Sequence, residues 1–280
     1  MKYLLLSIIA FLTTSMIYAD SPYVKEAEDA IIEVIYSRKQ VTDTTMRDNR
    51  FFMDDVLLRI GNNKSLFCGV KKLWDDSISK VDYATYSTLL KASYEKDPKN
   101  FFFLGGTYWS YIYKDKAKKE MTECDYFDLT RWKYKEGLQT PTWTITDSIK
   151  NCLGYECVMA TTFFKGRNWI AWFSPEIPIQ DGPWKLNGLP GLILEAYDVT
   201  HDYEYIPKAI HTAGLAPVGY MWYYNDYTDV SRDQFFKNWR KAKMQDGVAK
   251  IKAAYDIKSS SPAQKKTLSY DREEIDYPHE

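Results

Sequence analysis

The sequence predicts a mainly β chain with helical additions, an α+β protein built on a large antiparallel meander that forms a curved sheet or a partly open barrel. Three observations lead there. Aromatic residues make up 16% of the 280 positions, with 23 Tyr and 9 Trp, and such side chains suit pleated, half-buried surfaces. Short runs of alternating apolar and polar residues recur between positions 30 and 211, separated by brief polar turns. Two stretches, 70–97 and 233–254, carry apolar residues at helical spacing instead.

Residues 30–40 are rich in β-branched and aromatic side chains and read as a first strand. Asp48 to Ile60 reads as a second, and Gly61-Asn62-Asn63-Lys64 supplies the turn into a short return through Cys68. Between 70 and 97, Leu73, Trp74, Ile78 and Val81, then Tyr86, Leu89, Leu90 and Tyr94, mark a helical insertion whose aromatic stripe suits packing on the sheet. Strands resume at Tyr108–Tyr113, Lys119–Phe127, Thr130–Tyr134, from Trp143, at Tyr155–Phe164 and at Asn168–Phe173. Their connections are too short for parallel crossovers, so the order is antiparallel. Leu192–Asp198 and Tyr203–His211 form a last pair about Thr200-His201-Asp202. A C-terminal helix follows, begun by a Ser231 cap and loosened at Gly247.

These readings divide the chain into a signal peptide at 1–19, one β-rich domain at 20–257, and an extended or disordered tail at 258–280. Lys2 gives the leader a positive start, Tyr3 to Ile17 an apolar centre, and Ala19 a small residue before the cut. Export to the periplasm or cell surface follows. No later stretch suits a membrane-spanning helix, and Lys114, Asp115, Arg131, Lys133 and Lys135 argue against a lipid-facing strand band. The net charge of −1 provides no field for nucleic acid. In an oxidising compartment Cys68, Cys124, Cys152 and Cys157 read as two disulfides. The pairing Cys152–Cys157 with Cys68–Cys124 is one of three connectivities. The spacing of the cysteines and of His201, His211 and His279 does not suit zinc, and neither metal nor cofactor is indicated.

One stretch is conformationally unusual: Gly182-Pro183-Trp184-Lys185-Leu186-Asn187-Gly188-Leu189-Pro190-Gly191-Leu192-Ile193. Glycine opens backbone conformations closed to other residues, and proline fixes φ. It is preceded by Trp143-Thr144-Ile145, Leu153-Gly154-Tyr155-Glu156-Cys157, Phe164-Lys165-Gly166-Arg167-Asn168-Trp169 and Ala171-Trp172-Phe173-Ser174-Pro175. In this order the segments closely resemble the GLPGLI family, exported proteins mainly of Bacteroidota. The resemblance covers about 143–200, with a weaker match near Leu58–Phe67. It implies a signal peptide, a β-rich extracytoplasmic domain and a function that the family does not define. Cys152 replaces the apolar residue expected in relatives, which favours the local disulfide.

Gly188-Leu189-Pro190-Gly191 reads as a tight turn and bulge feeding Leu192 into the core, with a ligand loop as the alternative; the pattern is no phosphate cradle. Arg167 and Glu176 read as a structural ion pair or two solvated ends first and as an anion-binding or acid–base pair second, with Glu176 among the candidate ligand residues. They flank a strand in which Trp169 and Trp172 face opposite sides. A cavity lined by Tyr155, Arg167 and one of these tryptophans is the expected ligand site. Asp198, His201 and Asp202 suit a turn first and an acid–base group second. No nucleophile elbow occurs. Three functions compete. The leading one is non-enzymatic binding or carriage at the envelope, with an apolar ligand or an outer-membrane protein as partner. A hydrolase using Glu176, Asp198 or His201 and a structural or interaction module are the others.

Overall fold

The computed structural model describes residues 25–96, 104–244 and 272–278; the expected signal peptide lies outside them. The strands are β1 Lys25–Glu28, β2 Ala30–Val41, β3 Phe51–Gly61, β4 Lys64–Gly69, β5 Tyr111–Asp115, β6 Glu120–Phe127 and β7 Thr130–Gly137. After them come β8 Thr144–Cys152, β9 Tyr155–Phe164, β10 Arg167–Ser174, β11 Leu192–Asp198, β12 Tyr203–His211, β13 Val218–Tyr220 and β14 Thr228–Asp229. The helices are α1 Val70–Val81, α2 Tyr83–Lys96 and α3 Arg232–Met244. The alternating runs thus form the strands expected of them. The short β1, β13 and β14 carry too few residues for a periodic signal.

Twelve strands make one sheet in the order β14-β7-β6-β5-β4-β3-β2-β12-β11-β10-β9-β8, and β1 pairs with β13 in a second. Two meanders, β2–β7 and β8–β12, meet where β12 pairs with β2. Every pairing is antiparallel except β14 on β7. Ten strand spacings separate β7 from β8 in that order, about 48 Å in a flat sheet. Yet only residues 138–143 join them, and that connection reaches about 25 Å at most. The sheet must therefore curl until its two ends approach. It forms an unclosed barrel.

Tight turns set the hairpin registers. Leu153 and Gly154 both have positive φ, as do Lys165 and Gly166. Consecutive left-handed residues give the type I′ geometry whose twist matches that of the strands they join.

Alternation then sorts the side chains between faces. Ile32, Val34, Tyr36 and Arg38 of β2, with Val56, Leu58 and Ile60 of β3, point into the curl. Trp184, Leu186 and Leu189 from the loop 175–191, and Phe235, Phe236 and Trp239 from α3, fill that interior. On the opposite face Leu57, Leu66, Cys68 and Tyr111 are covered by Leu73 of α1 and by Val218, Tyr220, Met221 and Tyr227. Ser231 Oγ accepts a hydrogen bond from Gln234 N at 3.2 Å, capping α3. The expected extension of this helix from 245 to 254 lies outside the described residues.

Three expectations need correction. The 70–97 helix is two helices, because Asp82 ends α1 and its carboxylate accepts Thr85 N at 3.0 Å to start α2. Only α1 packs on the sheet; α2 buries none of its side chains.

The disulfides are absent, and all four cysteines are free, buried thiols. Cys68 lies opposite Tyr111, and Tyr111 opposite Cys124, so a full strand separates that pair. Two strand spacings are about 10 Å, beyond the ~7 Å a disulfide bridges. Cys152 faces Tyr155 and Cys157 faces Lys150, so this pair meets only on the diagonal. Burial pushes the Cys157 thiol up to about 12.

The expected tail is the third case: Arg272, Glu273 and Glu274 are 7%, 3% and 1% exposed. That segment is extended, but it lies inside the barrel.

Candidate binding site

The glycine-rich stretch occupies the middle of the curl as a loop across the barrel interior. Its shape is imposed by close approach. A Cβ on Gly191 would overlap the Ser174 carbonyl, and Gly188 combines φ of +88° with contact on the Thr140 methyl. Buried polar groups pin the rest. Lys114 Nζ donates to Asp181 Oδ1 at 2.7 Å, to the Gly182 carbonyl at 2.8 Å and to the Leu186 carbonyl at 3.2 Å. Trp143 Nε1 donates to the Asn187 carbonyl at 2.8 Å, and Tyr36 OH to the Ile193 carbonyl at 2.7 Å. Burial drives the Lys114 ammonium below its ordinary range despite the Asp181 carboxylate beside it.

At one end of this loop the barrel interior is charged. Lys185 reaches Glu123 at 2.8 Å and also contacts Glu274 and the Tyr134 hydroxyl. Burial opposes its charge, but the Glu123 and Glu274 carboxylates outweigh that and hold it above the usual lysine range. Arg272 pairs with Glu123 and lies 2.8 Å from Asp125. Glu273 accepts from Arg38 Nε at 3.1 Å, and Glu274 lies 2.6 Å from Arg232. Burial would raise Glu274; Lys185, Arg232 and Lys165 instead lower it to about 2. Rings border the charges: Arg38 sits 4.5 Å above Tyr108, and Tyr277 stacks on Phe236 at 4.3 Å. Every formal charge in this interior meets an opposite one. The matched charges hold the chain's own segment 272–274 in place.

Strand parity explains how the fold assembles this place. Met121, Glu123 and Asp125 alternate along β6 and all are buried, as are Val34, Tyr36 and Arg38 along β2. Arg38, Glu123, Tyr134, Lys185 and Arg232 were not singled out from the sequence. The available signal was a charged residue at the inward parity of an otherwise apolar row.

The expected site residues are dispersed. Arg167 does reach the charged end: its guanidinium donates to the Arg272 carbonyl at 2.9 Å and to Asp198 at 3.2 Å. Trp169 is fully buried beneath, 5.4 Å from Trp184, and donates to the Phe164 carbonyl at 3.2 Å. Trp172 faces the other side under the Lys150 ammonium at 4.4 Å. Tyr155 pairs with Cys152 on the edge hairpin, and Glu176 accepts Glu156 N at 2.9 Å. A cavity shared by Tyr155, Arg167 and a tryptophan therefore does not form. Of the candidate acid–base residues, Glu176 separates from Asp198 and His201, which share one turn. Asp198 lies opposite Trp169 near the start of β10, whereas Glu176 follows its end. Seven strand residues put them roughly 20 Å apart. His201 is exposed and stacks on Tyr197 at 4.8 Å.

At the other end of the loop a groove of about 430 Å³ opens, lined in part by Asn62, Lys116, Leu138, Thr140, Gln180 and Gly188. Asp181 backs it, with Lys116 3.3 Å from its second oxygen. Burial would raise this carboxyl, but Lys114 and Lys116 hold it below the usual range. Among the described residues no group of three His, Cys, Asp or Glu is arranged to hold a metal.

A family model described as a protein of unknown function, Porph_ging, matches residues 163–195. That span runs from the end of β9 through β10 and the central loop into β11. No curated protein matches the chain. Two crystal forms of PNGF-II, in space groups P21 and C2, are similar at 12% identity, with TM-scores of 0.49 and 0.47. The match covers 78% and 77% of this chain and 34% of each of theirs, so the chain spans about a third of their length.

Proposed function

We propose that this chain is an exported cell-envelope protein of the GLPGLI type that acts by binding rather than by catalysis. The match over 163–195 encloses the Gly182–Ile193 stretch, which supports that family placement. The observation that carries the binding reading is the charged interior beside Lys185, where opposite charges are matched around an extended chain segment. A hydrolase that joined Glu176 to Asp198 or His201 would need those groups in one place, and Glu176 follows the far end of β10 from both. Asp198 and His201 share one turn, but Asp198 is taken by Arg167 and the exposed His201 ring stacks on Tyr197. An apolar cargo would need empty hydrocarbon-lined space, whereas Trp169, Trp184, Phe235 and Phe236 fill the interior. A polar or polypeptide partner, such as a segment of an outer-membrane protein, suits the charges better. The interaction-module reading draws separate support from Ile145, Ile149 and Phe163, exposed on the edge hairpin β8–β9.

Native mass spectrometry of the purified chain after incubation with an envelope extract tests the reading. The expected result is a bound species whose retention falls when Arg38 is replaced by Gln. Loss of a hydrolytic activity in Asp198→Asn, with no bound species in either form, would sink it. Periplasmic or surface fractionation tests the export part independently.

A further inference from the structure

Arg272–Pro278 enters the barrel as a peptide enters a receptor. It belongs to no strand of the sheet. Its side chains meet three successive subsites, the first acidic and the next two basic. Glu123 and Asp125 take the Arg272 guanidinium, with Ser110 Oγ 3.3 Å away. Arg38 takes Glu273. Lys185 and Arg232 take Glu274. Beyond them Asp276 pairs with Arg232, and Tyr277 lies flat on Phe236. The backbone is received as well. Arg167 donates to the Arg272 carbonyl at 2.9 Å, and Ile275 N donates to the Lys165 carbonyl at 2.9 Å. Gly166, at φ +84°, leaves the space that Ile275 Cγ1 and the Asp276 amide fill.

We propose that this charged concavity is a binding site for an extended peptide with the order cation, carboxylate, carboxylate and a following aromatic, and that the chain's own Arg272–Pro278 is its resident occupant. The inference rests on the binding reading above and names its ligand class. The seat is made largely of groups that water would solvate once it emptied: the Glu123 and Asp125 carboxylates, Arg38, Lys185, Arg232 and the Tyr134 and Tyr205 hydroxyls. A packing seat would be apolar, because replacing buried ion pairs by hydrocarbon of similar volume costs little or is stabilising. Charge order, by contrast, discriminates between ligands, since a misplaced like charge is repelled.

The test uses the full-length chain and a fluorescent synthetic peptide of residues 271–280. In the double variant Glu273→Arg, Glu274→Arg the resident segment faces Arg38, Lys185 and Arg232 with like charge and leaves the seat. The labelled peptide should then bind one to one, at least about tenfold more tightly than to the wild type, the factor a charged hydrogen bond carries. A peptide with Arg272 and Glu274 interchanged should bind at least about tenfold more weakly to the variant. In the wild type, amides 273–276 should exchange with solvent before those of β2 and β6. A folded variant that ignores the peptide would overturn the proposal. So would an unfolded variant that the peptide cannot restore, or exchange of 273–276 only together with β2 and β6. Absent peptide binding beside a ligand-bearing native mass would remove this inference alone; failure of both removes the binding reading as well.

Discussion

Two of the segments that fill the barrel are held by different physics. The loop 175–191 is held by shape: glycines where a Cβ would overlap, and a buried lysine bonding to main-chain carbonyls. The segment 272–278 is held mainly by side-chain charge, in three matched subsites. Steric fit and buried main-chain bonds cannot be replaced by water without loss, so the loop belongs to the folding unit. The segment adds two main-chain bonds to its charges, and under the proposal above it is the part that leaves, because water can solvate both the charges it carries and those of the emptied seat.

The largest effect that would break this comparison is at Gly191. Gly191→Val puts a branched side chain against the Ser174 carbonyl. A loss of about 3 kcal/mol or more is expected, read as a lowered urea midpoint. Near-wild-type stability there would mean that the loop adapts, and the contrast would fail.

Lys114→Met comes next. It leaves Asp181 buried without its cation and two carbonyls without a donor. The expected loss is about 3–4 kcal/mol, with partial recovery when Asp181→Leu is added. Gly188→Ala should cost about 1–2 kcal/mol for its left-handed φ alone, and adding Thr140→Ser should relieve the overlap but not that strain.

Acid probes the comparison at smaller cost, because the segment carries two depressed carboxyls, Glu273 and Glu274, whereas the loop carries one, Asp181, beside its main-chain bonds. Glu274 faces Lys185, Arg232, Lys165 and Tyr134; Glu273 faces Arg38, Arg272, Tyr205 and Tyr108. Burial would raise both carboxyls, yet the neighbouring cations lower both, Glu274 from 4.5 to about 2. A carboxyl depressed in the folded state stabilises fully above its unfolded value, and that contribution disappears as pH falls through the folded one. The segment should stay seated above about pH 5 and loosen between 4.5 and about 2. Fluorescence of Trp239, 5.5 Å from the Arg272 guanidinium, reports it, and an acid transition confined to global unfolding would contradict it.

The least perturbing test concerns the thiols. Alkylation in denaturant without reductant should label both Cys68 and Cys124, since β5 stands between them.

How far the sequence reaches can be seen at particular residues. Hairpin turns such as Lys165-Gly166 were legible, because turn chemistry is local and β-period alternation follows from backbone geometry. Gly188 and Gly191 were legible as a demand on backbone shape, though not the identity of the atoms that crowd them. Asp82 was misread because one helical period continues across it; its cap depends on a carboxylate orientation that spacing does not carry. Cys68 and Cys124 looked like partners because parity in a list of cysteines does not reveal an intervening strand. Of the expected ligand residues, Arg167 reaches the charged interior and Trp169 supports it, whereas Trp172 faces away.

By itself, then, the sequence determined the β class, the antiparallel meander and the conformationally constrained loop, all consequences of local sterics and periodicity. Tertiary structure decided the curl that brings β7 near β8, the inward placement of Arg38, Glu123 and Lys185, and the burial of Arg272–Glu274 in what composition reads as a solvated tail. The reason is that burial of a charge depends on the partner it meets. For Arg272 and Glu123 that partner lies 149 residues away along the chain.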